Sequence, residues 1–269
     1  MAGTPLSFFF RGGAREARED AKTWPTQKYP WAVLEIPEGG EWEVSLGKRR
    51  LRIAEGEVLL LRPGTEHRMT ARSKDAMTTT YALLSWRSWG GVDLVAAGDF
   101  PETLPGETGK AILPVLAAMI DASRRSDLGA AAKVHRMGFE LLEILSPHSP
   151  VSLSMAWNET AAADRRMARV IEHIDANWDR TLTRRGLAEL AGLSPSRFHA
   201  LFQKLTGFPP LEYVMAMRLQ RASELLESTS QSVGEIAGRC GFSTLYYFSR
   251  CFHSHKKMTQ TEYRARYSR

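Results

Sequence analysis

Residues 236–252 read IAGRCGFSTLYYFSRCF, and the beginning of this stretch repeats a pattern found earlier in the chain. The earlier segment, LAELAGLS at 187–194, matches IAGRCGFS at 236–243 with an offset of 49 residues. Beyond the serines the offset becomes 50, and it pairs Phe198 with Phe248, Phe202 with Phe252, Glu212 with Glu262 and Tyr213 with Tyr263. The sequence therefore contains two consecutive copies of one unit, and the second copy has one extra residue.

Each copy has the pattern of a helix-turn-helix unit, in which a short helix, a tight turn and a second helix follow one another. In the first copy, Ala188 allows the helices to cross closely, Gly192 permits the turn, and Ser194 is expected to cap the second helix. The second copy has Ala237, Gly241 and Ser243 at these positions. A single match is weak evidence, whereas two copies at one spacing are strong evidence.

The positive charge of the chain is concentrated in the part that contains the repeat. Residues 164–269 contain 17 Lys and Arg against 10 Asp and Glu, whereas residues 1–163 contain 19 against 20. A basic domain is typical of proteins that approach a polyanion, although a solvated basic surface would explain the charge alone equally well. Charge and repeat together predict a domain that binds double-stranded DNA.

A helical wheel over the second helix of each copy separates an apolar face from an outward face. The apolar faces contain Phe198, Leu201, Phe202 and Leu205 in the first copy, and Leu245, Phe248, Cys251 and Phe252 in the second. The candidate base contacts point outward: Ser196, His199, Ala200 and Gln203 in the first copy, and Tyr246, Tyr247 and Arg250 in the second. Arg250 is the strongest candidate, because its guanidinium can bond both acceptors of a guanine edge.

Basic side chains near the two helices are candidate phosphate contacts, namely Arg184, Arg185, Arg197 and Lys204. The segment that joins the copies, 210–227, is predicted to be a helix roughly 27 Å long. Successive major-groove faces lie about 34 Å apart on one side of the duplex. A rigid helix of this length can therefore hold both second helices in successive major-groove segments without a dimer.

The chain resembles the AraC family of bacterial transcription regulators over roughly residues 164–269. The residues that carry the resemblance are Ile236, Ala237, Cys240, Gly241, Phe242, Ser243, Tyr247, Phe248, Arg250, Phe252, Tyr263 and Arg264. The resemblance implies a seven-helix DNA-binding domain, and it adds Leu245 to the candidate base contacts. Two positions depart from the family pattern: Lys257 stands where a glycine is usual, and Gln260 where a proline is usual.

Residues 29–90 alternate β-forming residues with Gly and Pro, which predicts short strands in a small barrel or sandwich. The stretch EGEVLLLRPGTEHRM, 55–69, resembles the cupin-like barrel in which many members of the family sense a small molecule. Aromatic and polar residues of this region are candidate pocket residues for a sugar or an aromatic ligand: Trp31, Glu35, Trp42, Arg62, His67, Tyr81 and Trp86. For each residue singly, ordinary core or surface placement is the alternative.

The apolar spacing from about Lys110 to residue 146 predicts two amphipathic helices. These helices resemble the dimerisation helices of the family, and packing onto their own barrel is the alternative. A Ser-, Pro- and Ala-rich segment follows and predicts a linker. We therefore expect a multidomain α+β chain with a sensor barrel at 1–105, a helical segment at 106–147, a linker at 148–163 and an all-α double helix-turn-helix domain at 164–269.

The predicted function is a sequence-specific, ligand-responsive transcription regulator that acts as a homodimer in the cytoplasm, with RNA polymerase as a candidate partner. The apolar run at the N-terminus is only three phenylalanines, so neither a signal peptide nor a membrane span is expected. The alternative is a cupin-type metalloenzyme fused to a DNA-binding tail. His67 is the sole histidine in residues 1–134, so we expect no metal, cofactor or catalytic residue.

The sequence contains two cysteines, Cys240 and Cys251, which lie at either end of the second copy's turn and helix. A redox switch is the third hypothesis for this region. Their separation lacks the C-x-x-C spacing of metal and redox sites, and each occupies an apolar position of the repeat. Both are therefore interpreted as small hydrophobic residues.

Overall fold

The computed structural model describes residues 6–18, 26–72, 77–88, 93–149 and 161–267. The chain divides into two compact units, Met1–Arg165 and Arg166–Arg269. The first unit combines antiparallel sheets with helices and the second is helical, as the predicted fold class requires. Most of the predicted linker, residues 150–160, lies outside the described residues.

Two antiparallel sheets form the first unit. A five-stranded sheet has the order β1-β7-β2-β5-β8, and a three-stranded sheet has the order β4-β3-β6. The strands are β1 (Leu6–Arg18), β2 (Ala32–Pro37), β3 (Glu41–Leu46), β4 (Arg49–Ala54), β5 (Val58–Leu61), β6 (Arg68–Ala71), β7 (Met77–Ser88) and β8 (Thr103–Leu104). The strands predicted between residues 29 and 90 are confirmed, and the described strands form two sheets rather than one closed ring.

Strand β1 is the longest element that the sequence pattern did not predict. It pairs with β7 over its whole length, from Leu6 opposite Ser88 to Arg18 opposite Met77, with an irregularity between Phe10 and Gly12. Three consecutive phenylalanines and two consecutive glycines obscure the alternation typical of a strand. The second glycine is required by close packing, because a Cβ at Gly13 would lie 2.7 Å from the Tyr81 carbonyl oxygen.

Three helices follow in the first unit: α1 (Leu94–Ala97), α2 (Gly106–Ser123) and α3 (Leu128–Leu145). Helices α2 and α3 confirm the amphipathic pair, and their apolar side chains pack with Leu34 and Leu84 on one face of the five-stranded sheet. Helix α3 approaches this sheet closely at Gly138, where a Cβ would meet the Phe8 ring at 2.2 Å. We call the opposite face of the five-stranded sheet the inner face.

The second unit consists of α4 (Ala161–Asn177), α5 (Arg184–Ala191), α6 (Pro195–Thr206), α7 (Pro210–Ser228), α8 (Val233–Arg239), α9 (Leu245–Lys256) and α10 (Gln260–Tyr267). These seven helices agree with the architecture that the family resemblance implies. Helices α5 and α6 form the first helix-turn-helix unit, and α8 and α9 form the second. None of the described helices has the length and hydropathy needed to cross a membrane.

Buried aromatic rings repeat the same geometry in both helix-turn-helix units. In the first, Phe202 lies 5.5 Å from Phe198 and meets the Tyr213 ring at 5.4 Å and 89°. In the second, Phe252 lies 5.6 Å from Phe248 and meets the Tyr263 ring at 5.3 Å and 88°. Edge-to-face contacts at these distances are favourable. Because the two sets of rings have matching distances and angles, residues related by the offset of 50 occupy equivalent positions in the two units.

The caps of the second helices correct one prediction. Ser194 accepts a hydrogen bond from the Arg197 backbone N–H at 3.4 Å, as expected. In the second copy, Thr244 rather than Ser243 is the cap, and it accepts from the Tyr247 N–H at 3.2 Å. The cap follows Gly192 by two residues in the first copy but Gly241 by three in the second, so the extra residue lies within the turn.

Both departures from the family pattern lie at helix ends, at the end of α9 and the start of α10. Lys257 adopts the left-handed conformation with φ of 58°, and its N–H donates to the His253 carbonyl at the end of α9. Gln260 begins α10, where Thr259 and Glu262 cap the helix reciprocally. The Thr259 N–H donates to Glu262 Oε2 at 2.7 Å, and the Glu262 N–H donates to Thr259 Oγ1 at 3.3 Å. This capping box replaces a proline as the start signal.

Candidate nucleic-acid interface and ligand site

Helix α6 presents its predicted polar face to solvent. Ser196, Ala200 and Gln203 are exposed. His199 is half-buried, and its Nδ1 atom is buried with no hydrogen-bond partner among the described residues. Short side chains at Ser196 and Ala200 allow close approach to a groove but offer few hydrogen bonds to base edges.

Basic side chains surround this face of the first helix-turn-helix unit. Arg184 and Arg185 are exposed at the first two positions of α5, although positive charge at a helix N-terminus is unfavourable. Arg185 is offset in part by Glu189, whose Oε1 lies 2.9 Å from its Nε. Arg197 and Lys204 are exposed on α6. The placement of Arg184 and Arg185 therefore suits contact with a polyanion better than it suits the stability of α5.

Helix α9 exposes longer side chains than α6 does. Tyr246 is 77% exposed, and Arg250 is also exposed. The Arg250 guanidinium carbon lies 5.6 Å from the centre of the Tyr247 ring, which restrains the guanidinium by a cation–π contact. Leu245 is 50% exposed, so its assignment to the apolar face was wrong and its side chain is available at the first helical position.

Arg218 on α7 is a residue that the sequence analysis missed. Its Nε donates to the Trp178 carbonyl at 2.7 Å, and its two terminal nitrogens donate to the carbonyls of Gly241 at 2.8 Å and Arg180 at 2.7 Å. Burial lowers the pKa of Arg218, and the negative charge of Asp179 opposes that shift. One side chain therefore joins the segment after α4 to the turn of the second helix-turn-helix unit.

The turn itself packs against the same segment. Gly241 has φ of 72°, and a Cβ there would lie 2.2 Å from the Asp179 carbonyl oxygen. Gly192, its equivalent in the first unit, has φ of 64° with nothing within 4 Å of the Cβ position. In the sequence, the one indication of the contact made by Arg218 is that this arginine stands between two apolar residues, Met217 and Leu219. Both of these neighbours are buried in the structure.

The cysteines occupy structural positions. Cys240 is buried in the apolar cluster of the second helix-turn-helix unit, and Cys251 is half-buried against the same cluster. Desolvation raises the pKa of the Cys240 thiol to about 11. At neutral pH this group is almost entirely a thiol, and the thiolate is the reactive form. The structure therefore favours the packing interpretation of Cys240 over the redox one.

Three of the pocket candidates share the inner face of the five-stranded sheet. Glu35 lies directly opposite Tyr81 in the register of β2 and β7, and Trp31 lies on the same face because Ala32, next to it, faces the helices. Trp31 and Glu35 are buried, and Tyr81 is half-buried. The Glu35 carboxylate accepts a hydrogen bond from Thr79 Oγ1 at 2.9 Å.

The other candidates lie elsewhere. Trp86 faces the helices, where its Nε1 donates to the Gly138 carbonyl at 2.7 Å. Trp42 is buried in the three-stranded sheet. Arg62 forms an ion pair with Asp99 beside an open cleft of about 780 Å³. His67 is buried with its Nδ1 3.2 Å from the Thr65 carbonyl oxygen.

The described part of the chain contains no group of three or more His, Cys, Asp or Glu residues that could hold a metal ion. Desolvation lowers the pKa of His67, and its hydrogen bond to the Thr65 carbonyl opposes that shift. His67 is therefore a buried side chain whose ring is held by a backbone carbonyl.

Two arginines that the sequence did not single out lie beside Phe9, and one of them, Arg11, also lies near Trp31. The Arg11 guanidinium carbon lies 4.8 Å from the centre of the Phe9 ring and 5.8 Å from that of Trp31. The Arg87 guanidinium carbon lies 5.0 Å from the Phe9 centre. Arg11 and Phe9 belong to the unpredicted strand β1, so no sequence pattern placed them beside Trp31.

Comparison with known families agrees with the division into two units. Residues 14–136 match the family described as "AraC-like ligand binding domain". Residues 187–266 match the family described as "Helix-turn-helix domain", and this range contains both recognition helices α6 and α9. The two matches together extend over most of the chain.

Individual relatives support the same assignment. The chain is 23% identical to "Probable transcriptional regulator LumQ" of Photobacterium leiognathi over 266 residues, which cover 92% of this chain and 94% of the relative. It is 41% identical to "HTH-type transcriptional activator RhaR" of Mannheimia succiniciproducens over 75 residues, 28% of this chain and 27% of that one. A solved structure of ToxT from Vibrio cholerae has the same fold, with a TM-score of 0.62, 12% identity and coverage of 98% of this chain and 100% of that one.

Proposed function

Because the chain belongs to the AraC family of DNA-binding transcription regulators, we propose that α6 and α9 read successive major-groove segments of one operator. The observation that carries this proposal is the pair of exposed recognition helices in one compact unit, joined by α7. Helix α7 contains 19 residues and is about 28 Å long. This length suits two helices on one side of a duplex.

The two recognition helices are proposed to contribute differently. On α9, Arg250 would donate to a guanine edge while Tyr246, Tyr247 and Leu245 contact neighbouring bases. On α6, Ser196, His199, Ala200 and Gln203 would contribute groove shape and weaker base contacts. The proposed phosphate contacts are Arg184, Arg185, Arg197 and Lys204. The sequence preference of the protein should therefore be strongest at the base pairs that α9 contacts.

The first unit is proposed to bind a small-molecule effector that alters how the second unit engages DNA. Structures of ToxT, which shares the fold, have been solved with an unsaturated fatty acid and with a naphthalenyl butenoic acid. We propose that this chain acts by binding rather than catalysis, in the cytoplasm, where it would meet DNA and RNA polymerase. A homodimer through α3 is also proposed, since Leu128 is 87% exposed on that helix and Phe139 is exposed as well.

The experiment that tests DNA recognition is a selection from a random DNA library with the full-length protein, followed by sequencing at two salt concentrations. Two conserved blocks about one helical turn apart are expected, and higher salt should weaken all binding. Recovery of DNA with no sequence preference would reject the proposal. Recovery of a single short block would reject simultaneous reading by both helices.

Replacement of Arg250 by alanine is expected to reduce binding to the selected operator by about 1–3 kcal/mol and to relax the preference at one base pair. The matched control is Arg221→Ala, which removes an exposed arginine of α7 that bonds Glu224. The control should leave the preference at every base pair unchanged. Fluorescence anisotropy on the operator and on single-base variants measures both effects. An equal loss on operator and random DNA would contradict base reading by Arg250.

A further inference from the structure

The first unit contains an open cleft of about 780 Å³ beside the start of the predicted linker. Its lining residues are Arg49 at the start of β4, Arg62 after β5, residues 99–102 between α1 and β8, and residues 147–149 after α3. Small-molecule sites usually have about 300–1,000 Å³, so the cleft is large enough for a ligand. Arg62, one of the pocket candidates, belongs to this lining.

Two arginine–carboxylate ion pairs belong to the lining. Arg62 donates to Asp99 Oδ1, and Arg49 donates to Glu102 Oε2. Each bond joins one guanidinium nitrogen to one carboxylate oxygen, so it uses only part of the hydrogen-bonding capacity of the two groups. The four side chains are between 35% and 70% exposed, so both pairs are open to a molecule in the cleft.

The loop that contributes Asp99 has a constrained backbone. Asp99 has φ of 48°, in the left-handed region that residues other than glycine seldom adopt. Phe100, the next residue, is 6% exposed and packs into the apolar cluster of the first unit. A Cβ at Gly98 would lie 2.5 Å from the Phe100 ring and 2.6 Å from the Leu94 carbonyl oxygen, so the chain has little room there. Buried packing therefore holds Asp99 at the cleft, and backbone conformations of this kind concentrate at ligand sites.

The start of the predicted linker forms another part of the lining. His148 Nε2 lies 3.0 Å from Thr108 Oγ1 on α2, and Ser149 Oγ donates to the Gly98 carbonyl beside Asp99. His148 and Ser149 are the first two residues of the predicted linker, and both line the cleft. A molecule in the cleft would therefore contact the Asp99 loop and the first residues of the linker at once.

The charges of the lining select the class of ligand. Two arginines and two carboxylates together have no net charge, so an anion or a cation alone would meet repulsion as well as attraction. A zwitterion can offer a carboxylate to an arginine and an ammonium group to a carboxylate. Exposed ion pairs are weak, so little is lost when Arg62 and Asp99 exchange their mutual bond for bonds to the ligand. Hydrogen bonds between two charged groups are stronger than those to a sugar hydroxyl, which favours the zwitterion over a neutral polyol.

We propose that the cleft binds a free α-amino acid, with its carboxylate on Arg62 and its ammonium group on Asp99. The Arg49–Glu102 pair contacts a polar side chain of this ligand. The inference rests on the proposed ligand response of the first unit, and it names the site and the ligand class. A bound amino acid adds contacts between the Asp99 loop and the first residues of the linker, so it biases the segment that precedes the DNA-binding unit.

The test is calorimetric titration of the full-length protein with the common L-amino acids as free zwitterions. For the amino acid that binds most tightly, the N-acetyl derivative lacks the ammonium group and the amide derivative lacks the carboxylate. Each derivative is expected to bind about tenfold or more weakly than the free amino acid. Equal binding of either derivative, or no binding of any amino acid at a soluble concentration, would overturn the proposal.

Two substitutions locate the two charged ends of the ligand. Arg62→Met removes the guanidinium, and Asp99→Asn removes the carboxylate charge but keeps a residue that tolerates the left-handed conformation. Arg62→Met should weaken binding of the free amino acid about tenfold and leave binding of the amide derivative unchanged. Asp99→Asn should weaken binding of the free amino acid by a similar factor and leave binding of the N-acetyl derivative unchanged.

The matched control is Arg125→Met, which removes an exposed arginine of the same unit whose Nε donates to Asp127 at 2.9 Å. This variant should bind the amino acid as tightly as the unsubstituted protein does. Unchanged binding in both cleft variants, with folding verified by circular dichroism, would place the ligand elsewhere and overturn the site.

The outcomes separate this inference from the proposed function. Amino-acid binding that leaves operator affinity unchanged would support the site and reject the proposed ligand response. Loss of all sequence preference in the DNA selection would reject operator reading and leave amino-acid binding in the cleft untouched. Binding of a neutral sugar, without binding of any amino acid, would preserve a ligand-responsive regulator and overturn the zwitterion class.

Discussion

Replacement of Gly241 by alanine is expected to destabilise the second unit by about 2–5 kcal/mol, whereas the same replacement at Gly192 should cost about 1–2 kcal/mol. Both glycines adopt positive φ, 72° and 64°, so a Cβ carries a similar conformational cost at both turns. At Gly241 the new Cβ would also lie 2.2 Å from the Asp179 carbonyl oxygen, whereas nothing lies within 4 Å of it at Gly192. The difference between the two variants in the free energy of unfolding therefore measures the steric cost of the contact with Asp179.

Urea unfolding of the full-length variants, followed by circular dichroism, measures these costs. Hydrogen exchange in α8 and α9 should increase in Gly241→Ala, because the obstructing atom belongs to the backbone and the turn must move as a whole. The helices of the first helix-turn-helix unit should keep their protection. Equal destabilisation by the two substitutions would show that the contact with Asp179 contributes little.

Elements defined by local patterns were predictable from the sequence. The repeat placed both helix-turn-helix units, since apolar spacing, turn glycines and caps act within a few residues of one another. The cap of the second unit was assigned to Ser243 instead of Thr244, because both residues can cap and the position of the extra residue was ambiguous. Lys257 stands where the family pattern has a glycine, and it adopts the left-handed conformation that glycine favours.

Features that depend on distant pairing were not predictable. Strand β1 lies next to β7 through contacts between residues about 70 positions apart, so its own irregular pattern gave no indication of it. Alternation shows which residues of one strand share a face, but it does not show which face the helices cover. The sequence therefore could not distinguish Trp31 from Trp86 as a pocket candidate, although the two residues lie on opposite faces of the sheet. Arg11 lies near Trp31 only through the pairing of β1 with β7.

Arg218 shows the same limit in the DNA-binding unit and suggests how its parts are coordinated. Its three acceptors come from two segments, 178–180 and the turn at Gly241, that are far apart in the sequence. The first segment follows α4, the helix after the predicted linker. A displacement of α4 would therefore act through Arg218 on the turn that orients α9, and α9 contains the proposed base reader Arg250.

Replacement of Arg218 by methionine is expected to destabilise the second unit by about 2–4 kcal/mol, because three carbonyl oxygens lose a charged donor at once. Arg218→Lys should recover only part of this loss, since a single ammonium group cannot reach all three oxygens with the same geometry. The matched control is Arg221→Met, which removes an exposed arginine whose bond to Glu224 should contribute less than about 1 kcal/mol. Below its unfolding temperature, the Arg218→Met protein should lose sequence preference mainly at the base pairs that α9 contacts. The reason is that Arg218 holds the turn before α9 and makes none of its three bonds to the first helix-turn-helix unit. A uniform loss of affinity at all base pairs, or a stability equal to that of Arg221→Met, would contradict the role of Arg218 in positioning α9.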